Sequence, residues 1–155
     1  VSKILWVFFI SMVPLIELRG AIPAGTAMGL PFWLNFAICV VANMIPVPFI
    51  LILIRKILHF MQNCNVKFFR KVADFVIRKA EKNKDKITKY ATLGLFLFVA
   101  IPLPGTGAWT GALVAAMLEM KFKHAIISIS LGVLLAGVII TAISYGVLGF
   151  LSFLL

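Results

Sequence analysis

Acidic side chains are scarce in this chain: 155 residues carry five Asp and Glu against fifteen Lys and Arg, a formal net charge of +10. Of the five acids, Glu17 alone interrupts an apolar run, so paired carboxylates for general acid/base work or for a hard-metal cage are excluded. Cysteine and histidine are equally thin. Cys39 and Cys64 stand as single thiols without metal-ligand spacing, and His59 and His124 flank apolar segments, where polar rings are ordinary. No Ser/His/Asp set, metal-binding spacing or phosphate-cradling loop before a soluble helix is present, and "PGTG" within an apolar run does not read as a nucleotide site. No catalytic residue, metal or cofactor is therefore assigned. What the chain has in excess is apolar surface: 63% hydrophobic residues and a mean hydropathy of +1.11, too much for a short soluble domain to bury. The composition predicts a single integral membrane domain over residues 1–155.

Apolar runs cover residues 4–16, 20–54, 91–118 and 124–155, several of them longer than the ~20 residues that cross a bilayer as a helix. The first run also has the look of a secretory signal, but Glu17 and Arg19 follow where a small-residue cleavage site belongs. The positive charge is concentrated. Residues 55–90 hold eleven Lys and Arg against Asp74, Glu81 and Asp85. Between lipid-soluble runs such an excess marks the cytoplasmic side of the membrane and argues against nucleic acid as a partner. Within it Phe68, Phe69, Val72, Phe75, Val76 and Ala80 recur at helical spacing, which predicts an amphipathic helix lying on lipid headgroups, chiefly as a topology anchor.

The stretch "PLIELRGAIP" (14–23) puts two charges and a proline fence into the middle of run 4–30, leaving arms too short to cross alone. A re-entrant hairpin with a protein-buried tip is expected, because irregular backbone is not tolerated against lipid. Run 91–118 repeats the plan: "IPLPGTGAWTG" breaks it with Pro102, Pro104, Gly105 and Gly107. "IPAGTAMG" (22–29) and "LPGTGAWTG" (103–111) share Pro, Gly-Thr and a small-residue GxxxG, pairing Gly25/Gly29 with Gly107/Gly111. Each hairpin precedes a long apolar segment, near 33–54 and 124–145. The predicted fold is thus all-α and membrane-integral: a first repeat (1–58), a basic cytoplasmic linker (59–90) and a second, inverted repeat (91–155), each repeat a re-entrant hairpin plus a span. Threading the chain this way places thirteen Lys and Arg on one side and only Lys3 on the other, with Trp6 and Trp33 at the outer interface. Both termini then face outward and residues 55–90 the cytoplasm. A single pair of spans is thin for an enclosed pathway, so a homodimer is expected, with Gly132 and Ala136 offering a small-residue face.

The candidate chemistry sits at the breaks. Residues i and i+2 share a side only in extended backbone, so prolines 14 and 23 are expected to unwind the chain and let Glu17 and Arg19 point together. Glu17 is the candidate proton carrier. Arg19 is either its counter-ion or an anion clamp. Asn43, in "ANMIPVP" with Pro46, offers an amide beside freed carbonyls; Thr106, Trp109 and Thr110 fall in the second break, Trp109 as packing or as a stacking surface.

In order along the chain, "PLIELRGAIP", "ANMIPVP" and "IPLPGTGAWTG" resemble the small multidrug export family of prokaryotic membrane proteins over nearly the whole length. Glu17, Arg19, Pro23, Asn43, Pro46, Pro102, Pro104, Gly105, Thr106, Gly107 and Trp109 match its motif positions. The resemblance implies an inner-membrane export protein. More distantly the architecture is similar to the DedA superfamily, whose likeness implies proton-driven movement of polyprenyl-phosphate lipids; here the second hairpin lacks the arginine of that superfamily. Together these expectations describe a non-enzymatic, proton-coupled transporter of an amphipathic or lipid-phosphate substrate, in contact with membrane lipids. The rivals are an exporter of cationic drugs, a non-transporting lipid-binding scaffold and, last, a membrane enzyme.

Overall fold

A computed structural model describes the backbone at every position except 64, 83, 104 and 155, and side chains except at those positions and 76, 77, 79–82, 84–89, 148, 151 and 154. Cys64 and Pro104, and the side chains of Val76 and Ala80, therefore lie outside the described residues. The described chain is helical throughout: α1 (Ser2–Met12), α2 (Glu17–Ala27), α3 (Phe32–Met44), α4 (Pro46–Gln62), α5 (Lys67–Lys82), α6 (Lys84–Ala100), α7 (Ala108–Met117) and α8 (Phe122–Leu154).

Proline and glycine set the boundaries. Val13 precedes Pro14 and takes an extended conformation (φ −71°, ψ 130°), which ends α1. After the turn at 14–16, α2 runs back along α1, and Lys3 Nζ at the start of α1 donates to the Met28 carbonyl at the far end of α2, 2.8 Å away. At 11 residues each, these helices reach only ~16 Å, about half of a ~30 Å hydrocarbon core. Pro23 does not break the chain as expected. It lies on the exposed side inside α2, and the helix continues around it.

Helices α3 and α4 are separated by a single residue, Ile45, whose φ −58° and ψ −48° are helical, so helical backbone continues through the seam. Pro46 and Pro48 occupy the first turn of α4, where a missing N–H is least costly. The combined stretch Phe32–Gln62 and the stretch Phe122–Val147 are both long and apolar enough to cross a membrane. The linker is shorter than the sequence predicted: α4 extends to Gln62 and α6 begins at Lys84, inside the segment read as basic linker. The apolar part of α6, Tyr90–Ala100, matches α1 in length.

The two halves share one backbone pattern ninety residues apart. Leu30 N–H donates to Gly25 and Gly29 N–H to Thr26; Met120 N–H donates to Ala115 and Glu119 N–H to Ala116. Both are Schellman turns closed by a left-handed residue, Gly29 (φ 74°) and Glu119 (φ 50°). Buried positions recur at the same interval, Ala21 with Gly111, Gly25 with Ala115, Cys39 with Ile129 and Ala42 with Gly132. This interval differs from the proline-anchored pairing of Gly25/Gly29 with Gly107/Gly111, because burial and turn geometry repeat where residue identity does not.

Packing crosses between halves. Helix α2 lies against α8 as well as α1 and α3, and α7 lies against α4 as well as α6 and α8. Gly132 and Ala136, expected on a dimer face, are consumed inside the chain: a Cβ on Gly132 would stand 2.7 Å from Val99 Cβ and 2.9 Å from the Phe96 carbonyl, and Ala136 is buried.

Candidate functional site at the two helix breaks

The breaks meet, and each holds the other's ends. Glu17 opens α2 in a left-handed conformation (φ 49°), a strained state for a side chain this long, and its carboxylate is 5% exposed. The turn aims it at α7 rather than at its own helix. Oε2 accepts from the Ala108 N–H at 3.2 Å and Oε1 from the Trp109 N–H at 3.1 Å, so an acid from the first break caps the start of α7. Gly107 makes this approach possible: a Cβ there would lie 1.6 Å from Glu17 Oε2.

Arg19 goes to the same break. Its Nη2 donates to the carbonyls of Thr106 (2.6 Å), Ile101 (3.1 Å) and Val99 (3.4 Å), gathering the last turn of α6 and the loop that leads into α7. Arg19 is helical rather than part of an unwound Glu-x-Arg, and the two residues take different groups of the same break, Glu17 the N–H groups that open α7 and Arg19 carbonyls from Val99 to Thr106, while their opposite charges still act on one another. The exchange is mutual. Trp109 Nε1 donates to the Met12 carbonyl at the end of α1, 3.2 Å away, and Thr106 Oγ1 donates to Ile101 and Leu103 carbonyls within its own loop.

The tips themselves are less covered than expected. Leu15 is 94% exposed and Leu103 56%, with Pro14, Pro102 and Gly105 also exposed. Thr110 is half-buried on α7. Asn43 is fully buried on α3, and neither of its amide atoms has a partner among the described residues. From the α2–α3 turn, eleven residues along α3 and ten back along α2 both amount to ~15–17 Å, so Asn43 stands at the level of Glu17.

A second polar cluster escaped the sequence reading. Asn35, fully buried, donates to the Ile22 carbonyl (2.9 Å) and to Thr26 Oγ1 (3.3 Å), and lies so close over Gly25 that a Cβ there would meet its Oδ1 at 2.1 Å. Tyr145 Oη donates to the Leu30 carbonyl at 2.8 Å, tying α8 to the α2–α3 turn. An asparagine four residues before a cysteine in an apolar helix was the available signal, the same kind that drew notice to Asn43.

Residues 17–139 match the profile of the small multi-drug export proteins, about four-fifths of the chain. The chain belongs to that family. The matched stretch begins at Glu17, immediately after the first break, and contains the second break, both Schellman turns and the first half of α8. The family's name records a presumed activity and specifies no substrate. Comparison with curated proteins and with solved structures finds no match. Family and apolar helices together make this small multidrug export protein a membrane protein.

Proposed function

We propose that this protein is a proton-coupled secondary transporter whose substrate site lies between the two helix breaks. The carrying observation is that a buried carboxylate, Glu17, occupies the N–H groups opening α7 while Arg19 holds carbonyls of the same break, from Val99 to Thr106. A helix start with a close-approaching glycine is an anion site, and here the protein's own acid fills it. Protonation of Glu17 would weaken that contact and release the N–H groups to an external anion, with Arg19 beside it. A proton and an anionic headgroup then enter as a pair, which favours an amphipathic lipid phosphate. Asn43, with both amide atoms unpartnered, supplies a further donor and acceptor at that depth. No bond is made or broken in this scheme, and no enzymatic step or cofactor is part of it.

In the same reading α1–α2 and α6–α7 are re-entrant hairpins dipping from opposite leaflets of a prokaryotic inner membrane, the halves forming an inverted repeat. The half-bilayer helix lengths, the ninety-residue interval and the reciprocal packing of α2 on α8 and α7 on α4 support it. Lys121 and Lys123 with the basic segment favour the cytoplasm at one end, and exposed Trp6 and Trp33 the outer interface, with the termini, at the other. A second copy covers the exposed tips, since lipid cannot satisfy their irregular backbone.

Vesicles containing the purified protein, offered a labelled lipid phosphate and a fluorescent cation under a pH gradient, test the reading. Gradient-driven movement of the phosphate is expected; movement of the cation alone would favour drug export, and movement of neither would end the transporter proposal. A non-transporting scaffold is the second reading, favoured by the fact that, among the described residues, the side-chain hydrogen bonds of Glu17 and Arg19 all go to backbone groups. Glu17→Gln separates the two: a transporter loses its response to the gradient, whereas a scaffold changes only in stability.

A further inference from the structure

Helix α5 presents three different sides. At 100° per residue, Phe68, Val72 and Phe75 fall within about 60° of one another, Lys67, Lys71 and Arg78 fall within about 40° beside them, and Ala73 lies about 130° from the aromatic stripe. The structure treats these sides differently. Ala73 is fully buried where α5 rests against α4, α6 and α7, whereas Phe68 (71% exposed), Val72 (40%) and Phe75 (63%) face outward. The basic residues beside them are exposed as well, and Asp74 is the one described acid on the helix.

The position of α5 narrows its partner. It follows α4 directly, at the end of the molecule where Arg55 Nη2 donates to the Met120 carbonyl and joins α4 to the α7–α8 turn. Exposed Lys56, Lys121 and Lys123 emerge at that same end. An outward apolar stripe edged by cations, at the mouth of two membrane-length helices, matches the boundary of a leaflet: the aromatics enter the upper acyl layer and the cations meet phosphates.

We infer that the Phe68–Val72–Phe75 face of α5, with Lys67, Lys71 and Arg78, is a docking surface for anionic phospholipid headgroups. Charge selects the occupant, because a purely apolar anchor would need no basic border and an acidic protein partner would leave the aromatic stripe unmatched. Docking there also loads α7, which α5 touches. The inference does not depend on transport.

The test uses the full-length chain with Cys64→Ser, so that buried Cys39 stays unlabelled, and a nitroxide placed by Val72→Cys. The protein is reconstituted in phosphatidylcholine vesicles with or without phosphatidylglycerol. In anionic vesicles the label is expected to collide with dissolved oxygen and to be shielded from a water-soluble nickel chelate. A label at Lys71→Cys should show the weaker shielding of a headgroup position. Substituting Lys67→Gln and Arg78→Gln together, or raising salt, should cut the docked population on the order of tenfold. Equal shielding in neutral vesicles, chelate access in both lipid mixtures, or shielding from oxygen and chelate alike, as a covering protein would produce, each overturns the inference.

Discussion

Gly107 shows how much one missing methyl carries at the scale of a residue. Its Cβ would occupy the place of the Glu17 carboxylate, so Gly107→Ala should expel the acid from the start of α7 and strand a charge in an apolar surround. A loss of about 3 kcal/mol or more is expected, read as a large fall in the thermal midpoint in detergent. Gly94 is the control: it is exposed within α6, an added Cβ meets nothing within 4 Å, and Gly94→Ala should stabilise by roughly 0.5–1 kcal/mol through helix propensity alone. A midpoint that moves the same way in both variants would contradict the assigned contact. Trp109 divides its two roles by the same logic. Trp109→Phe keeps a stacking surface but loses the bond to the Met12 carbonyl, and should cost about 1 kcal/mol.

Among the elements, the two Schellman turns are the informative pair. Both need a residue at positive φ, yet one uses Gly29 and the other Glu119. A left-handed conformation costs a side-chain residue roughly 1–2 kcal/mol, so Glu119→Gly should stabilise the α7–α8 turn by up to about that amount. Chemical unfolding of the reconstituted or detergent-held protein measures it, and an unchanged or lower midpoint would mean that the Glu119 side chain has a compensating role. The elements also show where local rules misled. Pro14 ends α1 as its type demands, but Pro23, on the exposed side, is absorbed into an α2 that packs against α1, α3 and α8. Proline reports a missing N–H; whether the chain bends depends on what packs around it.

For the whole molecule, the proposed threading makes a labelling prediction. Cysteines introduced at Ser2 and Gly29 should react from the same face of the membrane, and those at Glu119 and Lys71 from the other. Ser2 and Glu119 on one face would remove the opposed hairpins on which the proposed site depends. If a second copy covers the tips, Leu15→Cys should cross-link between copies, whereas a cysteine at Gly132, packed against Val99, should not.

Composition and periodicity determined that this is an all-helical membrane protein, that two stretches can cross a bilayer, and that charge gathers in one segment, because those properties are sums over residues. The polar demand of Glu17, Arg19 and Trp109 was also visible, since a polar group in an apolar run must be answered by something. What answers it was not visible. That Glu17 caps α7, that Arg19 holds the end of α6, that Gly132 is spent internally and that Asn35 clasps Gly25 are contacts between segments far apart in the chain. Only the folded packing brings such groups within hydrogen-bond range, and small residues at a ninety-residue interval allow it by size, a property that residue identity conceals.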